Sequence, residues 1–203
     1  MTGLLLTTPI TAEPLQVTAL GDSLVQGYGL PQEDGFVPQL QVWLAERGHD
    51  ITLTNAGVSG DTSAGGLSRL DWTLTPETDA LIILLGGNDA LRGIDPTTTR
   101  GNLDAILAAA GNRDLPVLLL GVPAPANYGP DYQQAFAAMW TELAETHDAL
   151  LVEDYLAPLR NPDGPKQELF QPDGLHPNKG GVKIAINAIG PQVEALLGQI
   201  NHR

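Results

Sequence analysis

No cysteine occurs in the 203-residue chain. Disulfides, thiolate catalysis and cysteine-based zinc sites are thereby excluded. Positive charge is scarce too: 10 Lys and Arg stand against 24 Asp and Glu, for a formal net charge of −14. Such a surface repels nucleic acid and anionic membrane, and no Lys/Arg cluster offsets it locally. It also slows the approach of highly anionic substrates. Long hydrophobic runs are missing, so no stretch is apolar enough to span a bilayer. No G-x-x-x-x-G-K or G-x-G-x-x-G pattern follows an apolar run, which removes the obvious nucleotide-binding signatures. Residues 1–14, MTGLLLTTPITAEP, carry no basic residue, and their longest apolar run is Leu4-Leu5-Leu6. They read as a lead-in, unstructured or left over from a longer leader, and not as a secretory signal as they stand.

What remains is a globular composition, 42% apolar and 17% charged, with a length that suits one domain over residues 15–203. Short aliphatic runs recur at LQVTAL (15–20), ITLTNA (51–56), ALIILL (80–85), PVLLLGV (116–122) and ALLVED (149–154). Runs of this kind suit strands buried on both faces of a parallel sheet. Helical spacing fills the gaps. Phe36, Leu40, Trp43 and Leu44 share a face that ends at Gly48; Tyr132, Phe136, Met139 and Leu143 form a core stripe after an expected N-cap at Asp131. Val182, Ile186, Ile189, Val193, Leu196 and Ile200 form a last stripe, which Gly190-Pro191 is expected to kink or break. Strand–helix alternation predicts an α/β sandwich on a mostly parallel sheet, with no linker, repeat or low-complexity tract.

In open α/β sheets ligands bind beyond the carboxyl ends of the strands. Those ends carry Gly21-Asp22-Ser23, Asn55–Ser63, Gly86–Gly93, Gly121–Gly129 and, after a loop, Pro172–Asn178. Gly, Ser, Asn, Asp and one suggestive His thus gather at one edge. Acyl transfer by a serine needs a base, a carboxylate to orient it, and oxyanion donors. Ser23 supplies a hydroxyl; Asp173 and His176, three apart, can face each other in a tight turn. Pro177 biases His176 toward extended backbone. The Ser23 N–H, the Gly60 N–H and the Asn88 side chain can serve as oxyanion donors. Each residue also has a plainer role. Asp22 can shape its turn, Asn88 can cap one, Asp61 and Asp89 read as helix N-caps, and His49, His147 and His202 read as solvated.

Taken together, GDSL (21–24), SGDTS (59–63), GGND (86–89) and DGLHPN (173–178) resemble the four blocks of the GDSL or SGNH hydrolase superfamily. GGNDALRG and PANYG, followed by Tyr132 and Ala135-Phe136, are similar to its bacterial thioesterase I, lysophospholipase and arylesterase branch. The resemblance runs from about Val17 to the final helix. It implies a flavodoxin-like three-layer α/β/α fold on a five-stranded sheet, with no metal and no cofactor. It implies Ser23 as nucleophile, His176 as base, Asp173 as its partner, and Ser23, Gly60 and Asn88 as the oxyanion hole. Leu24, Ala124, Pro125, Asn127 and Tyr128 are the implied substrate-binding residues. Ala124 stands where relatives often carry a large aliphatic residue, which weighs against a long-chain preference. The branch implies a periplasmic location, whereas residues 1–14 lack a signal and leave a cytoplasmic one open. The expected substrates are small aryl and short-to-medium acyl esters, with thioesters and lysophospholipids as further types. The negative charge favours neutral esters over acyl-CoA. Two other classes are to be weighed: a metal-dependent phosphoesterase built on Asp22, Asp89, Asp173 and His176, and a non-catalytic binding module.

Overall fold

The computed structural model describes residues 13–200. The lead-in expected over residues 1–14 falls, save Glu13 and Pro14, outside that span, as does His202. The five apolar runs form one sheet: β1 (Leu15–Gly21), β2 (Ile51–Gly57), β3 (Ala80–Leu84), β4 (Val117–Leu120) and β5 (Leu150–Val152). Its order is β2-β1-β3-β4-β5 and every pairing is parallel. All five residues of β3 are buried, as continuous Ala, Leu and Ile in a doubly covered strand should be.

Among the described residues eight α-helices join and cover the strands: α1 (Ser23–Gln26), α2 (Phe36–Ala45), α3 (Ser63–Ser68), α4 (Leu70–Thr73), α5 (Gly87–Leu91), α6 (Pro96–Gly111), α7 (Pro130–His147) and α8 (Lys179–Gly198). Helices α2 and α8 pack together over one side of the sheet, and α3, α6 and α7 form the other layer. This is the three-layer α/β/α architecture that right-handed crossovers impose on such a strand order. The order reverses direction between β1 and β3, which opens a crevice at their carboxyl ends. Register brings those ends level, with Gly21 opposite Gly57 on one side and Leu84 on the other.

Local details depart from the sequence-based expectations. Helix α7 starts at Pro130 behind Gly129 (φ 88°), so Asp131 sits in its first turn and caps nothing. Helix α8 runs unbroken through Pro191. Its buried stripe is anchored against α2, where Trp43 Nε1 donates to Asn187 Oδ1 at 2.9 Å and the Trp43 ring leaves no room for a Cβ on Gly190. Thr62, not Asp61, caps α3, and Asp61 instead accepts from Arg69 Nε at 2.7 Å. Asp89 lies inside α5, fully buried, and accepts from Ser63 N and Thr99 Oγ1, tying α3, α5 and α6 together. His49 and His147 are not simply solvated: they pair with Glu194 at 3.0 Å and Asp104 at 2.8 Å. A small hairpin, β6 (Arg160–Asn161) with β7 (Gly164–Pro165), was not anticipated from the sequence.

Candidate active site

Strand β1 passes into α1 with Asp22 alone between them. A Cβ on Gly21 would lie 2.2 Å from Val25 Cγ2, so only glycine allows that turn. Asp22 is the N-cap of α1 and accepts from Leu24 N at 3.0 Å through Oδ1. Ser23 therefore occupies the first helical position, where a helix leaves the backbone N–H without an internal acceptor. Its hydroxyl faces the crevice.

The loop before α8 brings His176 to that hydroxyl across 153 residues of chain, with Nε2 2.8 Å from Ser23 Oγ. On the other side of the ring, Nδ1 is 2.7 Å from Asp173 Oδ2. Asp173 Oδ1 accepts the N–H groups of Leu175 and His176 at 2.9 and 3.0 Å. That loop is tied to the turn after α1 by Gln171, which donates through Nε2 to the carbonyl of Tyr28 at 2.8 Å. The Tyr28 ring also lies against His176, centroids 4.7 Å apart. The His176 N–H above all, opposed by desolvation and helped by the His176 ring and the Leu175 N–H, holds the Asp173 carboxyl down at about 2. A neutral imidazole that donates its Nδ1–H as a hydrogen bond to Asp173 leaves Nε2 to accept from the serine.

Gly60 and Asn88 line the same crevice as Ser23 and His176. Gly60 has φ 82°, a left-handed conformation that favours glycine, and its carbonyl accepts from Arg92 Nη2 at 2.8 Å. Asn88 Nδ2 donates to Asp22 Oδ2 at 3.1 Å and to the Asp61 carbonyl at 2.9 Å. Asp22, 3% exposed, is more than a turn residue. Burial pushes its carboxyl up to about 6, opposed by the Leu24 N–H, the Asn88 amide and His176. Arg69 braces the floor by donating through Nη2 to the Gly21 carbonyl at 2.9 Å. None of the clamps made by Asp22, Arg69 or Arg92 was read from the sequence. Only the placement of Asp22 beside Ser23 hinted at one.

The crevice widens into a cleft of 620 Å3 with mostly apolar walls. Leu24, Ala124 and Pro125 line it as expected, joined by Val122, Leu156, Phe170 and Leu175 and by Arg160 and Pro165 of the hairpin. Asn127 and Tyr128 do not line it. Asn127 is exposed, and Tyr128 instead donates to the Leu91 carbonyl at 3.0 Å, bracing the end of α5 against the glycine turn at Gly93. Among the described residues no three His, Asp or Glu side chains converge as a metal site requires. Of the set weighed for a phosphoesterase, Asp89 is committed to Ser63 and Thr99.

Comparison with known proteins covers nearly the whole chain. The model of the GDSL-like Lipase/Acylhydrolase family matches residues 19–184. The chain is 39% identical to "Esterase TesA" of Pseudomonas aeruginosa, covering 95% of this chain and 94% of that one. It is 32% identical to "Thioesterase 1/protease 1/lysophospholipase L1" of Escherichia coli, over 90% of this chain and 84% of that one. Among solved structures, the psychrotrophic esterase EstA from Pseudoalteromonas sp., in a form inhibited by monoethylphosphonate, superposes with a TM-score of 0.83 at 34% identity, covering 90% and 98% of the two chains. The chain is thus a hydrolase of the GDSL-like lipase/acylhydrolase (SGNH) family, in the branch of bacterial thioesterase I, lysophospholipase and arylesterase.

Proposed function

We propose that this esterase cleaves neutral carboxylic esters, aryl and short-to-medium acyl, through a Ser23-His176-Asp173 triad and an acyl-enzyme. The observation that carries the reading is the unbroken chain from Ser23 Oγ through both imidazole nitrogens to Asp173, at 2.8 and 2.7 Å, opening on an apolar cleft. Ser23 Oγ attacks the ester carbonyl carbon as its proton passes to His176 Nε2. Asp173 stays ionised and holds the Nδ1–H of the imidazolium. The carbonyl oxygen, now an oxyanion, accepts from the Ser23 N–H, the Gly60 N–H and Asn88 Nδ2. His176 returns the proton to the leaving oxygen or sulfur. Water then repeats the sequence and frees the acid.

The substrate class follows from the walls and the charge. Apolar side chains suit an acyl or aryl group, while a net charge of −14 opposes the several phosphates of a coenzyme A thioester. At low salt, kcat/KM for a p-nitrophenyl ester should exceed that for the acyl-CoA of equal chain length. The reverse order contradicts this preference. Ser23→Ala should keep its fold and lose turnover by roughly 10,000-fold or more. Hydrolysis near the wild-type rate in that variant would show that another group is the nucleophile.

A further inference from the structure

Asn88 has one amide nitrogen with two protons, and both are engaged. One goes to Asp22 Oδ2 at 3.1 Å and the other to the Asp61 carbonyl at 2.9 Å. These two acceptors set the sense of the amide, because turning it over would aim Oδ1 at a carboxylate and a carbonyl with no proton between them. The Asp61 carbonyl belongs to the loop after β2 and Asp22 to the turn after β1. Asp22 is held at both oxygens, since Oδ1 caps α1 through the Leu24 N–H at 3.0 Å. Its burial removes the water that would otherwise share those oxygens. A Cβ on Gly87 would approach Asp22 Oδ2 to 3.3 Å, so the backbone beside Asn88 also closes around this carboxylate.

We propose that Asp22 is a positioning residue of the oxyanion hole: its buried carboxylate fixes the Asn88 amide with the nitrogen edge toward the crevice beside Ser23. This rests on the reading of Ser23 as nucleophile and Asn88 as oxyanion donor. Asp22 acts through Asn88. When the tetrahedral oxyanion forms, it shares one of the two Asn88 protons with the acceptor already holding it, in a three-centre bond. The groups acting on Asp22 are the His176 ring and the Asp89 carboxylate by charge, and the Leu24 N–H and Asn88 by hydrogen bonds. Arg69 contacts the carbonyl of the preceding residue, Gly21. Above its raised range, about 6, Asp22 is an acceptor only; below it, the protonated carboxyl can also donate and no longer dictates the amide's sense.

A double-mutant cycle with p-nitrophenyl butyrate tests this. Asp22→Asn keeps an oxygen to cap Leu24 but sets a second NH2 against that of Asn88. We expect kcat to fall about 10-fold or more with KM within about twofold, and Asn88→Ala to lose about 100-fold. The double variant should lose no more than Asn88→Ala alone. Multiplying losses, or an unchanged kcat in Asp22→Asn, overturns the inference. Asp22→Ser, a capping side chain without a carboxyl, replaces Asp22→Asn in the cycle if the latter does not fold. A second readout leaves Asp22 in place. In His176→Ala, which removes the neighbouring imidazole, the 15N–1H signals of the Asn88 side chain should move with a midpoint near the raised Asp22 range; signals indifferent to pH overturn the inference. An enzyme sensitive to Asn88→Ala but indifferent to Asp22→Asn refutes this inference alone, whereas indifference to Ser23→Ala refutes the mechanism beneath it.

Discussion

Two carboxylates flank the Ser23–His176 pair, and the regions that hold them are opposites. Asp22 sits at the sheet end, 3% exposed, among close-packed backbone. Asp173 sits on the loop before α8 with its side chain 39% exposed. Desolvation dominates the first and lifts it to about 6; the hydrogen bond from the His176 N–H dominates the second, which is held at about 2. The same side-chain chemistry is thus assigned two jobs by surroundings alone. The amino-terminal region is close-packed, with no room for a Cβ on Gly21. The carboxyl-terminal loop is ordered because its polar groups are satisfied.

The sharpest way to break this contrast is Asp173→Asn. It keeps the Oδ1 acceptor for the loop N–H groups but can set the wrong imidazole tautomer, so kcat should fall by about 1,000- to 10,000-fold. Its melting temperature should fall by only a few degrees, since Asp173 is 39% exposed and solvent screens what its charge contributes. A large melting shift would show that the loop's order depends on the charge. Gly21→Ala probes the other region. Its Cβ would meet Val25 Cγ2 at 2.2 Å and the Leu84 carbonyl at 2.8 Å. Urea unfolding should register a loss of about 3 kcal/mol.

The pH dependence of stability separates the two carboxylates by sign. Asp22 binds its proton more tightly folded, at about 6, than at the ordinary 3.8. Its contribution therefore grows as pH falls from about 6 to about 4 and is missing at neutral pH, on the order of 2 to 3 kcal/mol. Asp173, held at about 2, stabilises above 3.8 and loses that contribution as pH falls toward 2. Urea unfolding across pH should show the Asp22 slope in the wild type and not in Asp22→Asn. A slope of equal size in both would end the contrast. The smallest effect is expected at Gly174, with φ 67° and nothing within 4 Å of an added Cβ. Gly174→Ala should cost about 1 kcal/mol through backbone strain alone.

The sheet was legible because strands buried on both faces must be continuously apolar. All five runs became strands, though β5 shortened to Leu150–Val152, where ladder partners run out. The convergence of Ser23, Asp173 and His176 was legible because strand ends in such a sheet share one edge. What escaped was set by neighbours distant in sequence. Gly190-Pro191 argues for a break in α8, yet the helix continues through both, with Gly190 packed on the Trp43 ring. Asp61 and Asp89 look like caps from their positions, but Arg69 claims the one and Ser63 and Thr99 the other. Tyr128, expected on the substrate wall, is turned away by its bond to the Leu91 carbonyl. The burial of Asp22 depends on α5 closing over it, which no local pattern encodes.

The central claim is that Ser23 and His176 share a proton, so that the hydroxyl near the amino end is the reactive one. Fluorophosphonate labelling followed by peptide mapping by mass spectrometry tests it directly. One adduct per chain, on Ser23, formed quickly in the wild type and slowly in His176→Ala, is the predicted result. An adduct on any other residue, or equal labelling of Ser23 without His176, would contradict it.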